Sequence, residues 1–212
     1  MYIPEPMVAQ CFLDSFPGGF LAQVPPIVKK ACEIAANRAQ KFPAPEAHYI
    51  RPHLRRAIVE SSLRAQASVF GLHSECRINA AKNAHHTFIA APPFSMTANQ
   101  VDTPETLTRP ALFRAGYALQ SQIDCFITEA PVPVDSVYGI LLYRVHPKKL
   151  TEPAFARVRF PVHDFSGYLD ASVDLLHIFG LASTADIPME VIDEAMELEI
   201  DAMHLHKTAS GE

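Results

Sequence analysis

The sequence contains no tryptophan and little glycine or cysteine, with 8 Gly and 4 Cys in 212 residues. This composition, together with the absence of any internal repeat, excludes collagen-like and coiled-coil arrays. The cysteines form no C-x-x-C pair, and a chain of this length can bury a core that needs no disulfide bonds. We therefore predict reduced thiols and a cytoplasmic protein.

Long apolar runs are also missing. The longest stretch without Asp, Glu, Lys or Arg covers residues 83–101, and it contains two histidines and two prolines. A membrane-spanning helix needs about 20 mainly apolar residues, so we predict no membrane association. The first six residues have no basic side chain and are interrupted by Pro4 and Pro6, which argues against a secretory signal.

The common local catalytic motifs are absent as well. The sequence has no G-x-x-x-x-G-K-[ST] loop, no G-x-G-x-x-G turn, no G-x-S-x-G elbow and no H-E-x-x-H pair. Phosphate and dinucleotide binding, acyl transfer and zinc proteolysis therefore lack their usual local geometry, and we predict no cofactor. A triad assembled from distant residues leaves no such spacing, so the sequence leaves open whether the protein is an enzyme.

What is present is the composition of a folded domain, with 49% hydrophobic and 19% charged residues. Proline positions and hydropathy predict a loop-rich start over 1–25, helices over 26–71, a sheet-containing segment over 85–162 and helices over 166–206. This order predicts a single α+β domain over residues 1–212. We expect an antiparallel meander sheet of about three to five strands with helices packed on it, and helical segments towards both ends.

Two strands have clear patterns. Residues 137–145 are apolar on both alternating positions, which is typical of a central strand. Residues 154–162 alternate instead between apolar and polar side chains. The turn between them is polar and proline-bounded, so the two segments predict a β-hairpin.

A helix predicted over 166–179 carries a candidate catalytic group. Asp170, Asp174 and His177 are spaced by four and three residues, which would place two carboxylates and an imidazole on one helix face. Such a face could bind a divalent metal or use the histidine as a general base in hydrolysis. The alternative is the solvated side of an amphipathic helix.

Residue types compatible with zinc occur at His73 and Cys76, with His85 nearby in the sequence. The pattern lacks a second cysteine, and surface histidines with a small buried thiol are the favoured explanation. We therefore predict no metal and keep these three residues as weak candidate ligands.

Charge is distributed unevenly along the chain. Residues 29–82 contain ten Lys/Arg against four acidic residues, whereas residues 186–212 contain one Lys against eight acidic residues. Arg51, Arg55 and Arg56 lie near the start of a predicted helix, where positive charge opposes the helix dipole. These arginines predict a nearby anion, either an acidic partner, a phosphate or the acidic end of the same chain. Alternatively, their stems cover apolar surface while the charged heads stay hydrated.

An acidic stripe complements these arginines on the last predicted helix. Its members fall within about 60° of arc: Glu190, Glu194, Glu197 and Asp201. A charge run of this kind is usually a solvated face. It could also contact the arginines within one molecule or across a homodimer, or contact a basic partner protein.

These features favour a soluble interaction or regulatory module that acts through charged helical surfaces on a protein partner or on a second copy of itself. A metal- or histidine-dependent hydrolase with a site near Asp170, Asp174 and His177 is the alternative. Weak nucleic-acid binding through residues 29–82 is a second alternative, which the formal net charge of −5 disfavours.

Overall fold

The structure is a computed structural model that describes residues 3, 5–79, 85–108, 111–120 and 137–181. Among these residues, five helices accompany one six-stranded sheet. The helices are α1 (Glu5–Ser15), α2 (Gly18–Ala39), α3 (Ala44–Val69), α4 (Leu112–Gln120) and α5 (Leu175–Phe179). The strands are β1 (His73–Ile78), β2 (His85–Ala91), β3 (Phe94–Gln100), β4 (Val137–His146), β5 (Lys149–Pro161) and β6 (Tyr168–Asp174).

The sheet joins two antiparallel meanders, β1–β2–β3 and β4–β5–β6, in the spatial order of the sequence. The seam between them is parallel, and Phe94 of β3 pairs with Val137 of β4. The predicted α+β class is confirmed. The predicted antiparallel meander of three to five strands is wrong, because the long connection that contains α4 returns the chain for a parallel pairing.

The main core lies between the sheet and the first three helices. Phe12 of α1 packs its ring against Phe94 of β3 and Phe160 of β5, with centroid distances of 5.6 and 5.5 Å. Phe16 and Phe20 continue this aromatic row towards α2. Such tilted and edge-on pairs contribute about 0.5–1.5 kcal/mol each beyond their buried area.

The opposite face of the sheet is covered in part by α4. Ala118 of this helix packs on Tyr138, Ile140 and Leu142 of β4. Strand β4 is therefore buried on both faces, as its sequence predicted. The predicted hairpin is also confirmed, since β4 pairs antiparallel with β5.

The prediction of a loop-rich start over 1–25 is wrong, because α1 and the first part of α2 lie there. Pro6 is tolerated because it falls in the first turn of α1, where a backbone N–H has no helical partner. Pro25 and Pro26 lie inside α2 with buried rings. Burial of these rings offsets the backbone hydrogen bonds that the two prolines cannot make.

The helix predicted over 166–179 is also wrong, since strand β6 occupies most of this segment and α5 only its end. Leu169 and Val173 match a helical spacing but equally match strand alternation, and both are buried. Strand β5 offers a free hydrogen-bonding edge to this segment, and pairing with that edge decides between the two patterns. Residues 182–206 of the predicted helical end lie outside the described residues.

Candidate functional site

The basic segment of the sequence folds into a hairpin of the two longest described helices, α2 and α3, joined by the short turn 40–43. Proline at position 45 and Glu46 in the first turn of α3 suit a helix start. The helix ends before Gly71, whose φ of +69° is accessible to glycine at little cost. This hairpin therefore positions all three arginines that the sequence singled out.

Arg56 is a structural residue that ties α3 to the sheet. Its Nε donates to Glu60 Oε1 at 2.9 Å, and its Nη2 donates to the carbonyl of His85 on β2. The second Glu60 oxygen accepts from the backbone N–H of Thr87 at 2.7 Å. Because Glu60 is only 5% exposed, this pair is partly desolvated and holds helix and strand together.

Arg55, in contrast to Arg56, is buried without a carboxylate partner among the described residues. It is 3% exposed, and its Nε and Nη1 have no hydrogen-bond partner among the residues that the structure describes. No carboxylate of the described residues lies within salt-bridge distance of it. Its guanidinium hydrogen-bonds the thiol of Cys32 on α2, but burial raises the pKa of this thiol to about 11 against the opposing effect of Arg55. The thiol is therefore neutral at pH 7 and leaves the charge of Arg55 uncompensated.

Further unpartnered polar atoms lie near Arg55. Arg51, one turn earlier on α3, has a buried Nε without a partner. Tyr143 of β4 is fully buried, and its hydroxyl has no partner within the described part of the chain. Burial raises the pKa of this hydroxyl well above the usual value for a phenol. Its neighbour in register on β3, Gln100, has a buried Oε1 without a partner. The sequence analysis missed Tyr143 and Gln100, because nothing in a strand pattern marks a side chain as unpartnered.

The end of the hairpin presents a different surface. Phe42 in the turn is 45% exposed and Tyr49 on α3 is 65% exposed. The Tyr49 ring contacts the ring of His53 at 5.1 Å between centroids. Lys41 and His48, both exposed, lie beside these aromatic side chains in the sequence.

The three residues of the predicted hydrolytic site do not share a helix face. Asp170 is exposed on β6, and its backbone N–H donates to Glu5 of α1. Asp174 caps α5 by accepting from the backbone N–H of His177 and also pairs with Arg157 at 2.8 Å. The side chain of His177 is on the surface. The carboxylate of Asp174 is thus engaged in structural contacts.

The weak metal candidates are divided between the two faces of β1. Cys76 Sγ lies 3.6 Å from His85 Nδ1, whereas His73 points to the other face and pairs with Glu75 at 2.6 Å. A spacing of three residues on a strand produces this separation. Over the part of the chain that the structure describes, no group of three or more His, Cys, Asp or Glu side chains could hold a metal ion.

His86 is a buried titratable group that the sequence did not single out. It is 3% exposed, its ring stacks on Phe113 of α4 at 3.8 Å, and neither ring nitrogen has a partner in the described ranges. Burial, followed by the positive charges of Arg114, Arg56 and Arg77, lowers its pKa to about 4. The imidazole is therefore neutral at pH 7.

The acidic stripe predicted at Glu190, Glu194, Glu197 and Asp201 lies outside the described residues.

Within residues 5–79, 85–108, 111–120 and 137–181, no helix has both the length and the apolarity to cross a bilayer. The chain matches no family model, no curated protein and no solved structure in the comparisons made.

Proposed function

We propose that the protein is an interaction module that docks an acidic segment of a partner protein on the end of the α2–α3 hairpin. The observation that carries this proposal is the exposure of two large aromatic side chains at that end, Phe42 at 45% and Tyr49 at 65%. Aromatic side chains dominate the binding energy of many protein interfaces. In a chain with a well-packed core, two of them together at a helix–turn–helix end suit a contact surface.

The charge at this end of the α2–α3 hairpin indicates the charge expected of the partner. Between residues 41 and 51, Lys41 and Arg51 accompany a single carboxylate, Glu46. These two cations give the end of the hairpin a small positive charge on a chain whose formal net charge is −5. A complementary negative segment would be steered to this end. Of the three arginines predicted to bind a partner, only Arg51 suits such a surface, since Arg55 is buried and Arg56 is paired with Glu60.

The experiment measures binding of fluorescently labelled poly-L-glutamate to the full chain by anisotropy, at low and at high salt. The test variant is Lys41→Glu/Phe42→Ala. The matched control is Lys149→Glu/Leu150→Ala, which changes the same kind of exposed Lys–apolar pair at the start of β5. We expect the test variant to weaken binding by about tenfold and the control to leave it unchanged.

Three results would contradict the proposal: no binding by the unmodified chain, equal loss in both variants, or tighter binding of poly-L-lysine. A single-stranded oligonucleotide is measured in parallel. If this oligonucleotide binds more tightly than poly-L-glutamate, the partner is a nucleic acid and not a protein, because exposed aromatic rings among cations also suit unpaired bases.

A further inference from the structure

We infer that the interior of the α2–α3 hairpin contains a site for a small phosphate-class oxyanion, bound by Arg51, Arg55 and Tyr143. Arg51 also belongs to the docking surface, but Arg55 and Tyr143 are buried while Phe42 and Tyr49 are exposed at the end of the hairpin. The inference is tested on Arg55 and Tyr143 and therefore does not depend on the proposed function.

The uncompensated charge of Arg55 requires an anion. A buried ion without a partner costs several kcal/mol, and the neighbouring groups do not remove this cost. Cys32 stays a neutral thiol. Glu60, the buried carboxylate of the same helix, is held by Arg56 and by the backbone of Thr87. An added anion would supply the missing charge.

The unpartnered atoms match the hydrogen-bonding needs of an oxyanion. Arg55 offers two N–H donors from Nε and Nη1, and Arg51, on the same side of α3 at a spacing of four residues, offers its Nε–H. Tyr143 adds an O–H donor from the sheet side, where it belongs to the same buried cluster as Cys32 of α2 and Ile58 and Val59 of α3. Guanidinium groups are well suited to oxygen anions of this kind.

Gln100 should make the site bind phosphate more tightly than other oxyanions. Its buried Oε1 has no donor, and it is the register partner of Tyr143. Phosphate at neutral pH retains at least one O–H and can donate to this oxygen, whereas sulfate and carboxylates have no proton to give. A site that combines several donors with one acceptor therefore favours phosphate, because a ligand that leaves a buried acceptor unpaired loses affinity.

The experiment is isothermal titration calorimetry on the full chain after dialysis into phosphate-free buffer, with inorganic phosphate, sulfate and acetate at constant ionic strength. We expect one phosphate per chain, with sulfate and acetate bound about tenfold more weakly or not at all. Phenyl phosphate is a fourth arm, compared with phosphate at pH 5, where both ions keep an O–H because the second pKa of a phosphate monoester is about 6. Binding equal to that of phosphate identifies a phosphoryl group of a larger molecule as the ligand, and binding of phosphate alone identifies the free ion.

Two tyrosines of β4 supply a matched pair of variants. The Tyr143 hydroxyl is unpartnered, whereas the equally buried Tyr138 hydroxyl bonds Thr97 at 2.6 Å on the other face of the sheet. Tyr143→Phe should raise the Kd for phosphate about tenfold, and Arg55→Met should abolish binding. Tyr138→Phe should leave the Kd unchanged. Circular dichroism verifies that each variant is folded.

The inference is overturned if calorimetry detects no phosphate binding to the unmodified chain, since the polar atoms would then be hydrated. It is equally overturned if Tyr143→Phe and Arg55→Met bind phosphate within about twofold of the original Kd, because the ion would then sit elsewhere. If sulfate binds as tightly as phosphate, Gln100 does not accept a hydrogen bond from the ion and is not part of the site.

Discussion

Adjacent arginines on α3 should respond to the same substitution with opposite signs. In Arg55→Met, a thioether of similar length replaces a guanidinium that is 3% exposed and has no carboxylate partner among the described residues. In Arg56→Met, the same change removes the ion partner of Glu60, whose side chain is 6% exposed. The pair therefore separates the cost of an unpaired buried charge from the benefit of a paired one.

The magnitudes follow from burial. Replacing buried charge by well-packed apolar atoms stabilises proteins by about 1–4 kcal/mol, whereas removing one member of a buried pair costs about 3–5 kcal/mol. The Arg56 side chain is 32% exposed, and the Thr87 N–H still bonds Glu60, so we expect a cost below this range, about 2–3 kcal/mol. For Arg55→Met we expect a gain of about 1–2 kcal/mol, reduced by the lost contact with the Cys32 thiol.

The assay is urea unfolding followed by circular dichroism in phosphate-free buffer, with thermal unfolding as a second measure. Each kcal/mol corresponds to about 2–4 °C in Tm for a chain of this size. If Arg55→Met lowers the free energy of unfolding as much as Arg56→Met does, the guanidinium of Arg55 is compensated without any ligand, and the reasoning is refuted.

Three further predictions test other parts of the structure. The pKa of His86 is lowered to about 4 in the folded protein, so as pH falls this histidine is protonated first in the unfolded chain. The contribution of neutral His86 to the free energy of unfolding is therefore full above about pH 6.5 and declines towards pH 4. The expected loss between pH 7 and pH 5 is about 2 kcal/mol. His86→Phe should remove this part of the slope in urea titrations at the two pH values, and an unchanged slope would exclude His86 as its source. Gly19→Ala should lower Tm by about 2–6 °C, because the added Cβ would lie 2.7 Å from the Phe70 ring. In the control variant Gly18→Ala the Cβ meets no atom within 4 Å, so this change should be neutral or slightly stabilising. Equal Tm values for the two variants would contradict the prediction. Asp174→Ala should cost about 1–2 kcal/mol through loss of the α5 cap and the Arg157 pair, while the exposed Asp170→Ala should change the urea midpoint little; a large loss for Asp170→Ala would point to a contact beyond those described.

Part of the fold could be predicted from the sequence, because hydropathy alternation reports burial directly. The β4–β5 hairpin follows from one doubly apolar strand and one alternating strand. Segment 168–174 could not be assigned in this way, since Leu169 and Val173 satisfy both periods and only the edge of β5 decides between them. Likewise, nothing local predicts that β3 and β4 pair in parallel, because that pairing depends on the path of a long connection.

The candidate site could be predicted only in outline. The sequence singled out three arginines as lying near a helix start, but α3 begins at Ala44, so Arg55 lies beyond the first turns and the argument from the helix dipole does not apply to it. The unmet hydrogen bonds of Arg55 follow from its burial in the tertiary structure. The sequence could not distinguish Arg55 from Arg56, because a rotation of 100° on the helix places one against Cys32 and the other against Glu60 and His85. The roles of Tyr143 and Gln100 depend on which sheet face meets the hairpin, and this is a property of the tertiary structure.

The first helix and the last described strand meet, since Glu5 of α1 accepts from the backbone of Asp170 on β6. During synthesis on the ribosome, the apolar faces of α1 and α2 therefore emerge long before the strands that will cover them. Until β5 and β6 have left the exit tunnel, Phe12 and Phe20 lack much of their final environment. The nascent chain should consequently present a chaperone-binding surface over most of its translation and close only as its C-terminal third appears.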